Sequence, residues 1–162
     1  MRILLAVSTS ALLAQQGRDA AGSAPNGRVI FEGKGACGAC HRVNQNGSRL
    51  GPDLTGIGAL RTRDALEKSL LDPNPEAPPQ YRRYRVITRD GATITGKILN
   101  QDIFSIQMLD SSDRLRSFQK SNLREYNFIQ TPPMPSYRDK LSPGELTDVI
   151  AYLVTLKGVA NR

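Results

Sequence analysis

Cys37-Gly38-Ala39-Cys40-His41 is the stretch that decides the fold, because it joins two thiols and an imidazole within five residues. Its pattern, C-x-x-C-H, is typical of covalent attachment of a c-type haem. Two thiols three residues apart lie on one turn of the chain, where each can form a thioether with a haem vinyl group. The histidine that follows is then placed to bind the iron. The sequence therefore predicts one haem c, attached at Cys37 and Cys40, with His41 as an iron ligand.

Three other interpretations of the two cysteines remain open. A thioredoxin-like redox pair follows a β-strand, but residues 22–34 lack the β-branched and aromatic residues of a strand. A zinc site made of Cys and His is one ligand short, since the 162 residues contain two Cys and one His. A structural disulfide would leave that histidine beside the pair by coincidence. Haem attachment alone gives all three residues a role.

The first residues predict an export signal. Met1-Arg2 is followed by a short apolar run that ends at Ala14, and such a start is typical of secretory signals. We expect residues 1–24 to be the signal and a disordered start of the mature chain, with cleavage after Ala14 or Ala24. The alternative is a short buried helix. From the signal we expect an exported, periplasmic protein. No apolar run reaches the ~20 residues needed to cross a bilayer, so we expect no transmembrane segment in the mature chain.

The second axial ligand of the iron can be argued by elimination. Electron carriers usually use Met or His at this position, and His41 is the chain's one histidine. Met1 would leave with the signal, and Met108 lies in an alternating, strand-like segment that favours a place in the core. Met134 is flanked by Pro133 and Pro135, and a stiffened loop can hold a thioether at low entropic cost. We therefore predict Met134, against the alternative of a five-coordinate iron.

Helical patterns occur at both ends of the chain. Ser142, Pro143 and Glu145 read as an N-cap, a first-turn proline and a capping box, and Gly158 reads as a stop. The apolar residues that follow recur at helical steps: Leu146, Val149, Ile150, Leu153 and Leu156. Earlier helices are predicted over about residues 26–33 and 62–71.

Between these helices the apolar period changes to two. Five short strands are predicted: Tyr84 to Arg89, Thr93 to Asn100, Ile103 to Leu109, Arg114 to Gln119, and Arg124 to Ile129. Asp90-Gly91 is a hairpin signal, and Phe104, Ile106 and Met108 are expected on one strand face. The predicted fold is α+β: a helical haem domain interrupted by a small five-stranded antiparallel, β-barrel-like insert of the Sm-like or SH3-like type.

Several segments together resemble class I cytochrome c. They are, in chain order, Gly27-Arg28-Val29-Ile30-Phe31, the C-x-x-C-H motif, Gly51-Pro52-Asp53-Leu54, Met134-Pro135, and Ala151-Tyr152-Leu153. The chain resembles more closely the haem-binding cytochrome domain of planctomycetes and acidobacteria. That family also carries the Arg61-Thr62-Arg63-Asp64-Ala65-Leu66 stretch, the Leu71-Asp72-Pro73-Asn74 helix end, and a β-rich block before the methionine.

The resemblance implies a role for each matching residue. Cys37 and Cys40 would form the thioethers, His41 and Met134 would bind the iron, and the Pro52 carbonyl would accept a hydrogen bond from His41. The first and last helices would meet where Gly27 and Phe31 face Tyr152 and Leu153. The expected organisation is a signal and start at 1–24, a cytochrome part at 25–80, the β insert at 81–129, and a second cytochrome part at 130–162.

The function implied is single-electron transfer by a monohaem cytochrome rather than an enzyme. Expected partners are a periplasmic dehydrogenase as donor and an oxidase or another cytochrome as acceptor. The alternative is a haem-based sensor or small-ligand binder with a labile or absent sixth ligand.

The net charge of the chain is +7, and residues 81–129 hold nine Lys and Arg against five Asp and Glu. Four arginines cluster at the start of that segment: Arg82, Arg83, Arg85 and Arg89. They form either a solvated face or a docking surface for an acidic redox partner. Because export is expected, nucleic acid is not an expected partner.

Overall fold

The computed structural model describes residues 21–73, 78–130 and 134–158. Its helices are α1 (Ala24–Glu32), α2 (Ile57–Leu60), α3 (Arg63–Leu71) and α4 (Pro143–Thr155). The strands are β1 (Arg42–Val43), β2 (Asn46–Gly47), β3 (Arg83–Thr88), β4 (Thr93–Gln101), β5 (Ser105–Asp110), β6 (Leu115–Gln119) and β7 (Leu123–Phe128). Helices thus flank a sheet in the chain, and the predicted α+β class is confirmed.

Helices α1 and α4 cross at a glycine. A Cβ atom on Gly27 would lie 1.9 Å from the carbonyl oxygen of Asp148, so a side chain there would prevent the close approach. One turn later, the rings of Phe31 and Tyr152 meet edge-on with their centroids 5.5 Å apart. Leu153 is buried in the same cluster as Phe31. The predicted seam between the first and last helices is confirmed.

The start of α1 differs from the predicted disordered start. The Ser23 hydroxyl caps the helix by accepting from the Asn26 N–H at 3.4 Å, and the Ser23 N–H donates to Asp148 Oδ1 at 2.6 Å. Cleavage after Ala24 would remove this cap. The rest of the predicted export signal, residues 1–20, lies outside the described residues.

The start of α4 follows from its own sequence. Ser142 Oγ accepts from the Glu145 N–H at 3.3 Å, and the Glu145 carboxylate accepts from the Ser142 N–H at 2.8 Å. This reciprocal pair is the predicted capping box, and it satisfies two otherwise free donors. The helix buries four residues of the predicted apolar face: Leu146, Val149, Ile150 and Leu153. The fifth, Leu156, follows the last helical residue and is only partly buried.

Strands β3 to β7 form one antiparallel sheet in the order β6-β5-β4-β3-β7. The predicted Asp90-Gly91 turn joins β3 to β4, with Gly91 at a φ of 92°. The β-barrel-like prediction is not confirmed, because within the described residues no pairing joins β6 to β7. The sheet is therefore open, with β6 and β7 as its edges.

One predicted strand face needs correction. Ile106 and Met108 are fully buried, as expected, whereas Phe104 is 69% exposed. The reason is that β5 begins at Ser105. Phe104 belongs to the preceding turn, where Asp102 Oδ1 accepts from the Phe104 and Ser105 N–H groups. Buried and exposed side chains alternate only within a strand, so the pattern does not predict the burial of Phe104, which precedes the first residue of β5.

The described residues have two separate hydrophobic clusters. One joins the four helices to Tyr137 and Leu141, and the other lies on one face of the sheet around Val86, Ile106 and Met108. Over the described ranges, no helix is both long enough and apolar enough to cross a membrane.

Candidate functional site

The C-x-x-C-H segment folds into one tight turn. Residues Cys37–Ala39 form a single 3₁₀ turn, entered through Ala36 in the left-handed region at φ 48°. The N–H groups of Cys40 and His41 both donate to the Cys37 carbonyl, at 3.1 and 2.8 Å. Both thiols are free, with Cys37 buried and Cys40 half-buried. The turn therefore presents two thiols and an imidazole from one short piece of backbone.

The imidazole of His41 is held by the loop that follows. Its Nδ1 lies 2.8 Å from the Pro52 carbonyl oxygen. Because a carbonyl can only accept, Nδ1 carries the proton, and Nε2 keeps a lone pair for a metal. Burial lowers the pKa of His41 and outweighs the opposing effect of the Pro52 carbonyl. The neutral, ligating form of the ring is therefore the favoured one.

Tyr137 is a site residue that sequence reasoning missed. Its buried hydroxyl donates to the Gly35 carbonyl at 2.6 Å, and Cys37 Sγ lies 3.9 Å from that hydroxyl. Burial raises the pKa of both Tyr137 and Cys37. Tyr137 ties the backbone just before the motif to the segment that carries Met134. The two partners are about a hundred residues apart, so no local pattern pointed to this bond.

Met134 and the C-x-x-C-H turn line the same cavity, which has a volume of about 700 Å³. Met134 is half-buried and packs against the helical cluster. Met108 instead lies fully buried in the cluster of the sheet. The structure therefore brings one of the two candidate methionines to the site and places the other in a separate core.

Apolar side chains from three helices form part of the cavity wall. They include Phe31, Leu66, Leu70, Val149 and Leu153. A cavity of this size, mainly apolar with a few convergent polar groups, is suited to a cofactor. The donor set of two thiols, an imidazole and a thioether matches what a covalently held, six-coordinate haem requires. On these grounds the residues present fit a haem.

The four arginines of the predicted cluster differ in what they contact. Arg82 and Arg83 line the cavity, whereas Arg85 pairs with Glu125 at 2.6 Å and Arg89 Nε donates to the Ser121 carbonyl. Two of the four arginines therefore reach the site, whereas the other two contact residues of the sheet segment.

A family model described as Cytochrome c matches residues 24–106 of the chain. The matched range includes α1, the C-x-x-C-H turn, the Pro52 loop and α3, and it ends inside β5. Met134 and α4 lie beyond it. Among curated proteins, none matches the chain.

Proposed function

The chain belongs to the cytochrome c family, and from this we propose that it is a monohaem electron carrier with His/Met axial ligation. The observation that carries the proposal is the common cavity of Cys37, Cys40, His41 and Met134. A single C-x-x-C-H motif in the sequence supports one haem rather than several.

Each residue of the site has a distinct task in this proposal. Cys37 and Cys40 would hold the haem by thioether bonds, and His41 Nε2 would bind the iron. The Pro52 carbonyl fixes the orientation of the His41 ring and raises its basicity. Met134 would supply a second ligand to the iron, and its thioether sulfur would favour ferrous iron and so a high reduction potential.

The haem supplies one-electron chemistry between ferrous and ferric iron. The chain's own contribution is a dry, fixed environment, formed by the apolar residues of α1, α3 and α4 that line the cavity. A rigid, water-poor site keeps reorganisation small when the charge on the iron changes. This arrangement supports a carrier rather than an enzyme.

We further propose that the protein is exported to the periplasm, as the amino-terminal sequence pattern indicates. Its donor would be a periplasmic dehydrogenase, and its acceptor an oxidase or another cytochrome. We also propose that the chain is closely similar to the haem-binding cytochrome domain of planctomycetes and acidobacteria. The five antiparallel strands between residues 83 and 128 support a β-rich insert before the methionine, as found there, although the sheet is open.

The proposal is tested by producing the protein with the c-type cytochrome maturation system. We expect a red protein whose mass exceeds that of the polypeptide by one haem, retained after denaturation. The variant Cys37→Ala/Cys40→Ala should lose that covalent mass, whereas Met108→Leu in the sheet should keep it. A colourless wild-type protein, or one without the added mass, would falsify the proposal.

A further inference from the structure

Lys97 connects the sheet to the loop that follows the C-x-x-C-H turn. It lies on β4, and its Nζ donates to the Arg49 carbonyl at 3.0 Å while lying 5.1 Å from the centre of the Tyr81 ring. The same loop is tied to the sheet a second time, because Arg49 Nε donates to Asp113 Oδ2 at 3.1 Å. The sheet is therefore anchored beside the haem-binding loop.

Lys97 is partly buried, and one acidic residue and two arginines act on its charge. Burial lowers its pKa, and this effect exceeds the opposing attraction of Asp113. The guanidinium groups of Arg49 and Arg42 lower the pKa further. A partly buried ammonium with two cations nearby is a favourable place for an anion.

Lys97 also lines the cavity, together with two further cations of the sheet segment, Arg82 and Arg83. Two acidic residues of the described part of the chain lie on the cavity wall: Asp53, which pairs with Arg42 at 2.8 Å, and Asp72, which follows α3. Within the described residues, the sheet segment thus contributes three cations and no acidic residue to the cavity wall, whereas the helices contribute mainly apolar residues together with Arg61, Lys68 and Asp72 at or near their ends.

We propose that Lys97 binds a propionate carboxylate of the haem, with Arg82 and Arg83 contributing to the same positively charged wall. This inference rests on the proposed function. The two propionates are the only charged substituents of a haem, and a carboxylate entering a cavity needs a charged donor. The sheet is then part of the haem site, because it neutralises the charged edge of the cofactor.

The test compares reduction potentials of the holo-protein in an optical redox titration. Lys97→Gln removes the positive charge but keeps a hydrogen-bond donor for the Arg49 carbonyl. Lys97→Met is a second uncharged variant, and Lys97→Arg keeps the positive charge. Lys120→Gln is the matched control, because Lys120 also donates to a backbone carbonyl and lies 5.1 Å from the centre of a tyrosine ring, that of Tyr126.

A positive charge beside the haem favours the ferrous state. At a fixed applied potential, we expect the ratio of ferrous to ferric protein to be about threefold or more lower in the uncharged variants than in wild type. A tenfold change in this ratio corresponds to a shift of about 59 mV in a one-electron reduction potential. Lys97→Arg and Lys120→Gln should stay within about twofold of wild type. The propionate bending band in the resonance Raman spectrum should shift in the uncharged Lys97 variants only.

Two results would overturn the inference. One is an equal potential in wild type and both uncharged variants. The other is a changed potential with an unshifted propionate band, which would show that Lys97 acts through its field without contact. Failure of the proposed function looks different, since the wild-type protein would then lack a covalent haem.

Discussion

Gly51 lies against the ring of His41 so closely that a Cβ atom on it would be 3.0 Å from both Nδ1 and Cε1. The same atom would lie 3.0 Å from the Cys40 carbonyl oxygen. These contacts are tighter than ordinary van der Waals separation, and neither neighbour is the end of a flexible chain. The glycine thus allows the loop to bring the Pro52 carbonyl to Nδ1.

Gly51→Ala should therefore push the His41 ring away from its hydrogen bond. We expect destabilisation of the holo-protein by about 1–3 kcal/mol, the usual cost of overpacking. The measurement is denaturant unfolding followed by the main haem absorption band. Gly38→Ala is the control inside the motif, because a Cβ there meets nothing within 4 Å. Equal stability of the two variants would contradict the role given to Gly51.

Met134→Ala should remove the second axial ligand. We expect loss of the weak far-red ferric band that Met–iron ligation produces, and ready binding of carbon monoxide by the ferrous protein. Wild type and Met108→Leu should keep the band and change little with carbon monoxide, because Met108 is buried in the sheet. Strong carbon monoxide binding by wild type at neutral pH would instead favour the sensor or small-ligand binder.

The features predicted best from the sequence are those held by local contacts. The backbone hydrogen bonds of the motif turn join Cys37 to Cys40 and His41, and the start of α4 depends on Ser142 and Glu145, three residues apart. Such signals are read directly because the interacting groups are neighbours in the chain. The strands could be predicted because their alternating pattern is local. Their pairing could not be fully predicted because it joins residues that are distant in the chain.

The features missed are those made by distant residues. Tyr137 bonds to Gly35, and Arg49 bonds to Asp113 across the boundary of the sheet. Neither pair has a periodic or spacing signal, so only the folded chain reveals it. The openness of the sheet is likewise set by how its edge strands are arranged in space. Their lengths and apolar patterns carried no information on closure.

Glu145 should contribute to acid resistance. Its pKa is lowered from the usual 4.5 to about 2, chiefly because Lys34 hydrogen-bonds its carboxylate, with the Ser142 N–H adding to this. A carboxylate whose pKa falls on folding stabilises the protein above its unfolded pKa and loses that effect as the pH drops through the folded value. The stabilisation is therefore complete above about pH 4.5 and lost towards pH 2.

Glu145→Gln isolates this charge, since Gln can still complete the capping box. We expect the stability of the variant to fall less steeply than that of wild type between pH 4.5 and about 2, measured by denaturant unfolding at several pH values. Glu67→Gln, at an exposed position on α3, should follow the wild-type curve. An unchanged slope in Glu145→Gln would show that the Lys34 contact contributes nothing in solution.

The sheet should keep its structure when haem attachment is blocked, whereas the helices should not. Without the haem, water would enter the 700 Å³ cavity and meet the apolar residues that line it, so the helices would lose part of the burial that stabilises them. The cluster around Val86 and Met108 is separate from that cavity. We therefore expect the circular dichroism spectrum of Cys37→Ala/Cys40→Ala to lose most of its helical signal and to keep a β signal. A peptide of residues 81–129 should show the same β signal. A fully helical variant without haem would contradict this dependence of the helices on the cofactor.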